Sequence, residues 1–341
     1  MSTIVGDIGG TQARLELRVQ NTTLYRKVYK SANYPDLIAI ICRFIEDIKN
    51  TGISIQVGCL CVAIAGPIVE EGGDQRIKPT HLSWSCSAKE LRDRFSVDSV
   101  FLLNDLQAAA YGISQLCPED LLVIHEGKKN RVSPRLLLGL GTGFGQSLSI
   151  DQKGRSIVLS TEAGHMNFAP FNAFSHFFYE AQCLVGRNDY SAVTVETMLS
   201  SQGLLNICHY LLRHSSIIVS DRFRHAIENS NQSEMITEYA NCNELLAEKT
   251  IEHYLELLAG YIGNVALSCL PAGGIYMMGG VAQHIIPWLQ PERFMRLLMD
   301  KGSMSSLLEQ LPVYIVKNDY LGLEGAYYIA QQRCGMHREA R

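Results

Sequence analysis

An α/β fold in two domains is what this sequence predicts, and three observations carry it. Stretches with strand and helix periodicity alternate along the chain. A glycine-rich bend with a threonine joins two strands early in each half, at Asp7–Thr11 and again at Gly139–Gly145. The 341 residues exceed what one ordinary core takes in, so two domains is the natural division.

The totals narrow the function classes. Hydrophobic residues make up 47% and charged residues 19%, the balance of a soluble globular protein. A net charge of −4 gives no broad positive field, so neither nucleic acid nor an anionic membrane is an expected partner. Apolar runs are broken by Gly, Asp or Lys before they could span a bilayer. The start, MSTIVGDIGG, has no basic segment and no long apolar segment, so no secretory signal is expected. The 10 cysteines form no CxxC pair. Cys59 and Cys61 fall on one face of a predicted strand and read as small buried thiols. A reducing cytoplasmic setting follows as the expectation.

Taken in order, Thr3–Gly10 begins as a strand and bends at Gly9-Gly10-Thr11. Ala13–Val19 alternates, with Leu15, Leu17 and Val19 on one face, so the two form a hairpin. Leu37–Ile48 has helical spacing, and Gln56–Ala65 is a buried strand ending at Gly66–Pro67. Val69–Lys78 is polar and reads as a surface loop. Ser87–Phe95 is a short helix with Ser87 and Glu90 in capping-box positions. Val100–Leu103 is a strand that stops at Asn104–Asp105, and Leu106–Ala110 turns helical.

Glu126–Pro134 is charged and exposed. Arg135–Leu140 is a strand entering the second glycine bend, and Gln146–Ile150 leaves it. Leu159–Pro170 is a close-packed loop or strand end. Phe174–Val185 and Val193–His214 are helices, and Asn243–Leu270 is a long helix interrupted at Gly263–Asn264. Gly273–Gly280 is a strand flanked by glycine pairs, Val281–Leu289 starts a helix, and Leu311–Val316 is the last strand. Leu321–Arg333 is a helix with small residues on its packing face.

Four places carry chemistry. The glycine bends expose backbone N–H groups that can wrap phosphate oxygens, and Asp7 beside the first can hold the accompanying Mg²⁺. The second bend fits neither G-x-G-x-x-G nor a P-loop, because Phe144 and Gln146 break the one and no GK[ST] ends the other. Asp105 sits at the carboxyl end of a strand, where open α/β sheets bind ligands. Asp105 is also a good helix N-cap, and the local sequence allows both readings. Glu162 and His165 lie three apart, and His165 reads equally as a satisfied structural histidine or a ligand contact. Glu196 lies at a helix start, where a solvated first-turn carboxylate is the plain alternative. No HExxH or paired-cysteine spacing supports zinc.

The motifs occur in a telling order: DIGGT at Asp7–Thr11, ND at Asn104–Asp105, GLGTGFG at Gly139–Gly145, TEAGH at Thr161–His165 and MGGV at Met278–Val281. In this order the chain resembles the bacterial glucokinase family of the sugar kinase/actin/Hsp70 superfold. It fits the branch without the CxCGxxGC zinc motif of the repressor/sugar-kinase group, which is absent here.

That resemblance implies a two-domain actin-like ATPase (ribonuclease H-like) fold with an interdomain cleft. Residues 1–114 plus 319–341 would form the small domain and 115–318 the large one. It implies ATP-dependent phosphorylation of glucose at the 6-hydroxyl with Mg²⁺, the first step of glycolysis. Asp105 would be the general base, and Asn104, Glu162, His165 and Glu196 the hexose ligands. Gly6, Asp7, Ile8, Gly9, Gly10 and Thr11, with Gly141, Thr142 and Gly143, would hold phosphates, and Asp7 the metal. Gly279 and Gly280 would lie near adenine or ribose.

A carboxylate that also met helix N–H groups would have its charged form stabilised, so Asp105 is expected to take its proton late. A homodimer is the common default for such enzymes. Three positions depart from the family pattern: Gln12 for Asn, His81 for Asn, and the segment Leu199–Gly203 (LSSQG) for LSGxG. His81 motivates a kinase for another hexose, and LSSQG a sugar or nucleotide sensor without turnover.

Overall fold

A computed structural model describes residues 2–54, 56–79, 82, 84–185, 192–230 and 232–339. The chain falls into two compact units, Met1–Pro118 with Ser156–Val158 and Asn318–Arg341, and Glu119–Arg155 with Leu159–Lys317.

The first unit is built on a five-stranded sheet. Strands β1 (Ser2–Ile8), β2 (Gln12–Val19) and β3 (Thr22–Lys30) run as an antiparallel meander. After helix α1 (Leu37–Asn50), β4 (Val57–Ile64) pairs parallel with β1. The stretch expected to be a surface loop is instead a small hairpin, β5 (Ile68–Glu71) and β6 (Asp74–Ile77), extended by β7 (Cys86–Ser87). Its Gly72–Gly73 turn is the signal that polarity masked, since both strands are largely exposed.

Helix α2 (Ala88–Phe95) follows, with the Ser87 hydroxyl accepting the Glu90 N–H at 3.1 Å. Then β8 (Ser99–Asn104) pairs parallel with β4, and α3 (Asp105–Gly112) leaves it. The strand order is β3-β2-β1-β4-β8. The apolar residues of β1, Ile4, Val5 and Ile8, are all buried because both faces of the strand are covered. Ile4 and Ile8 meet Leu15, Leu17, Val62 and the α1 residues Ile40, Ile41 and Phe44, while Val5 faces Cys59, Cys61 and Ala63 in a second cluster. β3 escaped detection because it is an edge strand whose apolar side chains are mostly exposed among charged ones.

The second unit repeats the plan. β9 (Leu121–His125) and β10 (Arg135–Leu140) precede β11 (Phe144–Gln152) and β12 (Arg155–Ser160). A helical segment follows: α4 (Ala173–Val185), α5 (Val195–Leu199), α6 (Ser201–His214), α7 (Asp221–Asn229), α8 (Glu234–Asn241) and α9 (Leu245–Cys269). Then come β13 (Gly274–Met278), α10 (Gly280–Ile285), α11 (Pro291–Leu298), α12 (Ser305–Leu308) and β14 (Val313–Val316). The sheet order is β12-β11-β10-β13-β14-β9. Without β9, both sheets read third-second-first-fourth-fifth, with the first three strands antiparallel and the rest parallel.

Two expectations change here. The helix expected over Val193–His214 is two helices, because Ser200 turns extended and caps α6 by accepting the Gly203 N–H. α9 runs unbroken through Gly263–Asn264, so Gly263 interrupts nothing; it lets the Leu298 carbonyl approach.

The last helix, α13 (Leu321–Glu339), belongs to the first unit. It lays Leu323, Ala326, Ile329 and Ala330 on Val5, Cys59, Cys61 and Ala63. It crosses α3 closely, because Gly325 leaves no Cβ to meet the Ala108 carbonyl. Among the described residues no helix is long and apolar enough to cross a membrane.

Candidate active site

In the first unit the carboxyl ends of β1, β4 and β8 meet in register. Asp7 pairs with Ala63, and Ile8 with Ile64, which in turn pairs with Asn104. The bend after β1 closes on itself. The Gly9 N–H donates to the Gln12 carbonyl at 2.8 Å, and the Ser31 hydroxyl donates to the Gly9 carbonyl at 2.7 Å. Thr11 is left exposed at its tip with Gly10 half-buried beside it, whereas Gly6 and Ile8 are core positions.

Asp7 is the charged group at this bend, with its side chain 19% exposed. Burial pushes its carboxyl up to about 6; Arg14 pulls it down, and the negative charge of Asp105 pushes it up. The Arg14 guanidinium lies 3.7 Å away, too far for a tight pair. Gly322 in the first turn of α13 abuts the same carboxylate: a Cβ there would lie 3.0 Å from it.

The helix cap is not Asp105. Asn104 caps α3, its Oδ1 accepting the N–H groups of Leu106 at 3.1 Å and Gln107 at 3.2 Å. Its Nδ2 donates to the Gly66 carbonyl at 3.1 Å. The strand runs one residue further than its apolar pattern, so Asp105 becomes the first helical residue. Two of the first N–H groups of α3, those of Leu106 and Gln107, are thus bonded to the Asn104 side chain.

In the second unit three predicted elements converge on Phe144. The turn Gly141–Gly143 is closed by the Gly141 N–H donating to the Gly143 carbonyl at 3.0 Å, and Thr142 is exposed at its tip. Glu196, in the first turn of α5, accepts the Phe144 N–H through Oε2 at 2.9 Å. A Cβ on Gly143 would come within 2.6 Å of that same oxygen. Gly164 lies against the Phe144 carbonyl, in the single helical turn Ala163–His165 that joins Glu162 to His165.

Glu162 and His165 are both exposed, so His165 is not a buried structural histidine. The segment is strapped to the start of α5: the Val195 N–H donates to the Met166 carbonyl and the Phe168 N–H to the Val193 carbonyl, both at 2.9 Å. Ser201, in the LSSQG segment, donates its N–H to the Gly141 carbonyl at 2.8 Å, so that segment holds the glycine turn directly. Beside it, Gly279 stands at φ 101°, open only to glycine, with the Leu140 carbonyl against it, and Gly280 begins α10 with open space around it.

Sequence reading missed the Phe144 N–H, Ser201 and Gly322. Their parts are played by backbone atoms that meet residues far away in the chain, and no local pattern announces them. His81 lies outside the described residues.

The donor set near Asp7 suits a hard cation: two carboxylates that repel one another, with an open backbone turn between them in sequence. Among the described residues no three His, Cys, Asp or Glu gather as a metal cage. A Mg²⁺ that arrives on nucleotide phosphates needs only one or two carboxylates.

A glucokinase family model matches residues 4–333. The chain is 33% identical to a glucokinase of Nostoc punctiforme, covering 95% of this chain and 97% of that one. It is 32% identical to a glucokinase of Synechocystis, covering 96% and 98%. Among solved structures, a glucokinase from an Antarctic psychrotroph superposes with a TM-score of 0.80 at 26% identity, over 97% of this chain and 99% of that one. A glucokinase from Balamuthia mandrillaris, solved with glucose, gives 0.76 at 20% identity over 97% and 93%, a likeness of fold. The duplicated sheet order and these neighbours make the fold that of the actin-like ATPases. With a family model over nearly its whole length and relatives matched from end to end, the chain belongs to the glucokinase family and is an enzyme that phosphorylates glucose.

Proposed function

We propose that the enzyme moves the γ-phosphoryl group of ATP to the 6-hydroxyl of glucose, with Asp105 as general base. The observation that carries this reading is the division of labour at the head of α3. Asn104 caps the helix, and the adjacent carboxylate of Asp105, at the carboxyl end of β8, acts electrostatically on Asp7 at the end of β1. A base and a metal-type carboxylate thus share one sheet edge.

Phosphoryl transfer asks mainly for positioning and charge stabilisation. As the sugar O6–phosphorus bond forms and the bond to the ADP oxygen breaks, the O6 proton passes to the Asp105 carboxylate. In a loose transition state the hydroxyl becomes acidic only late, so a base of ordinary strength serves. Mg²⁺, held through Asp7, would neutralise phosphate charge.

Glu162, His165 and Glu196 offer acceptors and an imidazole to hexose hydroxyls. Asn104 keeps one Nδ2 proton to donate, since its Oδ1 is spent on the helix and its other proton on Gly66. With the Gly9 and Gly141 N–H groups spent on closing their own turns, Gly10 and Thr11 in one and Thr142 and Gly143 in the other supply the phosphate N–H groups, and Gly279–Gly280 lines the nucleoside.

A coupled assay with ATP, Mg²⁺ and a panel of hexoses tests the reading. Glucose should give the highest kcat/KM, and Asp105→Ala should cut kcat without a matching rise in glucose KM. Full turnover by Asp105→Ala would remove it as base, and a better hexose than glucose would redirect the substrate assignment.

A further inference from the structure

Glu196 faces two ways. Through Oε2 it accepts the Phe144 N–H at 2.9 Å, on the exit side of the Gly141–Gly143 turn. It also fills the space where Gly143 has no side chain. The entry side of the turn is held from the same corner, since the Ser201 N–H, one residue into α6, donates to the Gly141 carbonyl at 2.8 Å.

That corner is stiff. Thr194 and Thr197 close α5 with a reciprocal capping box, and the Ser200 N–H donates to the Glu196 carbonyl at 3.0 Å. Its entrance is strapped to the Glu162–Phe168 segment by the Val195–Met166 and Phe168–Val193 bonds, which together form the antiparallel bridge between Asn167 and Thr194. A hexose-type segment and a phosphate-type turn are therefore anchored to one five-residue helix, and one carboxylate touches the turn.

We infer that Glu196 is a positioning residue for the nucleotide, transmitting hexose binding to the Gly141–Gly143 turn. The inference rests on the reading of Glu196 as a hexose ligand and of the turn as a phosphate site. A hydroxyl donated to Oε1 removes the rotamer freedom of the carboxylate. The fixed Oε2 then holds the Phe144 amide, and with it the turn, in the shape the phosphates meet. The amide is spent on the carboxylate, so its contribution to nucleotide binding is order rather than a direct hydrogen bond. Linkage makes the effect reciprocal: each ligand tightens the other by the same factor.

Calorimetry on the full chain with glucose and a non-hydrolysable ATP analogue plus Mg²⁺ decides the matter. Wild type should show each ligand tightening the other about 5-fold or more, the lower range of measured couplings. Gly143→Ala puts a methyl 2.6 Å from Oε2 at a position outside the proposed hexose ligands. It should weaken glucose binding several-fold with no nucleotide present and bring the coupling close to 1.

Glu196→Gln keeps the side-chain volume but has only one acceptor oxygen for two partners, so it should bind both ligands with little coupling. It gives the same readout should Gly143→Ala fail to fold. Unchanged glucose affinity in Gly143→Ala, or wild-type coupling in Glu196→Gln, overturns the inference. Glu196→Ala separates it from its premise. Intact glucose affinity there removes Glu196 as a hexose ligand and the inference with it. Lost glucose affinity beside wild-type coupling in Glu196→Gln leaves the hexose reading standing and removes only the coupling.

Discussion

The two glycine hairpins share a strand plan and differ in where their carboxylate comes from. In the first, Ile8 and Ala13 close the strands, and Asp7 stands one residue before that closure. In the second, Leu140 and Phe144 close them, and Gly139 occupies the place of Asp7. That hairpin takes its carboxylate from α5, where Glu196 bonds a backbone N–H. One turn thus keeps a desolvated charge beside a second carboxylate, an arrangement a cation relieves. The other satisfies its charge with its own amide. A duplicated backbone fixes where ligands can approach, while single side chains decide whether the turn attracts a cation or organises itself.

Four comparisons, drawn with six substitutions, would break or sharpen this contrast. The largest effect belongs to Asp105→Ala, which should lower kcat by about 10²–10⁴ in the coupled assay. Asn104→Ala beside it should cost about 1 kcal/mol of stability as a lost cap.

Next is Arg18→Met. Glu16 is fully buried behind the first hairpin, bonded to Arg18 at 2.6 Å and to Arg26, and Arg18 also reaches Glu324 on α13 at 2.8 Å. Losing Arg18 leaves buried Glu16 with Arg26 as its remaining cation and takes a partner from Glu324, and urea unfolding should register about 1.5–3 kcal/mol. In the second hairpin Arg135 pairs with Asp151, whose side chain is 31% exposed, so Arg135→Met should cost closer to 1 kcal/mol.

Third, Asp7→Asn should abolish most activity yet stabilise the metal-free protein. The folded carboxyl titrates near 6 against 3.8 for its ordinary value, so between these the folded state holds the extra proton. The cost of the charge is fully present above about pH 6 and fades as pH falls toward 3.8. In EDTA the variant should gain about 1–3 kcal/mol at pH 7.5, and the gain should shrink by pH 5. A gain that grows on acidification would contradict the assignment. Smallest is Gly9→Ala, whose Cβ would meet only the Gln12 carbonyl at 3.4 Å; its melting curve should move by no more than about 0.5 kcal/mol.

What could be read from the residues follows the physics of burial. β4, β8, β10 and β13 are covered on both faces and read as apolar runs, and β1 reads as a strand from its Ile4–Val5 pair and the glycine bend that follows it. The edge strands β3 and β12 and the helices α7 and α8 were not legible, because exposed or mixed surfaces leave no clean period. At the site, the glycine bends and the Asn104–Asp105 junction were legible, since turn and cap chemistry is local. The junction was misjudged by one residue, as Asn and Asp cap almost equally well and only the strand's end decides between them. The Glu196–Phe144 bond spans 52 residues and the Gly322–Asp7 approach more than 300, distances over which a single sequence carries no periodic signal.

The position of α13 bears on how the chain is made. The first unit's sheet is finished early in synthesis, yet the cover for Val5, Cys59, Cys61 and Ala63 is encoded after the whole of the second unit. Until those last turns leave the ribosome, one apolar face of the nascent sheet and the back of α3 stay wet. Among the described residues no side chain of α13 belongs to the core of the second unit, which can settle first. A chain translated only as far as the second unit therefore carries the first unit's sheet with Val5, Cys59, Cys61 and Ala63 still open to water, and with no Gly322 against Asp7.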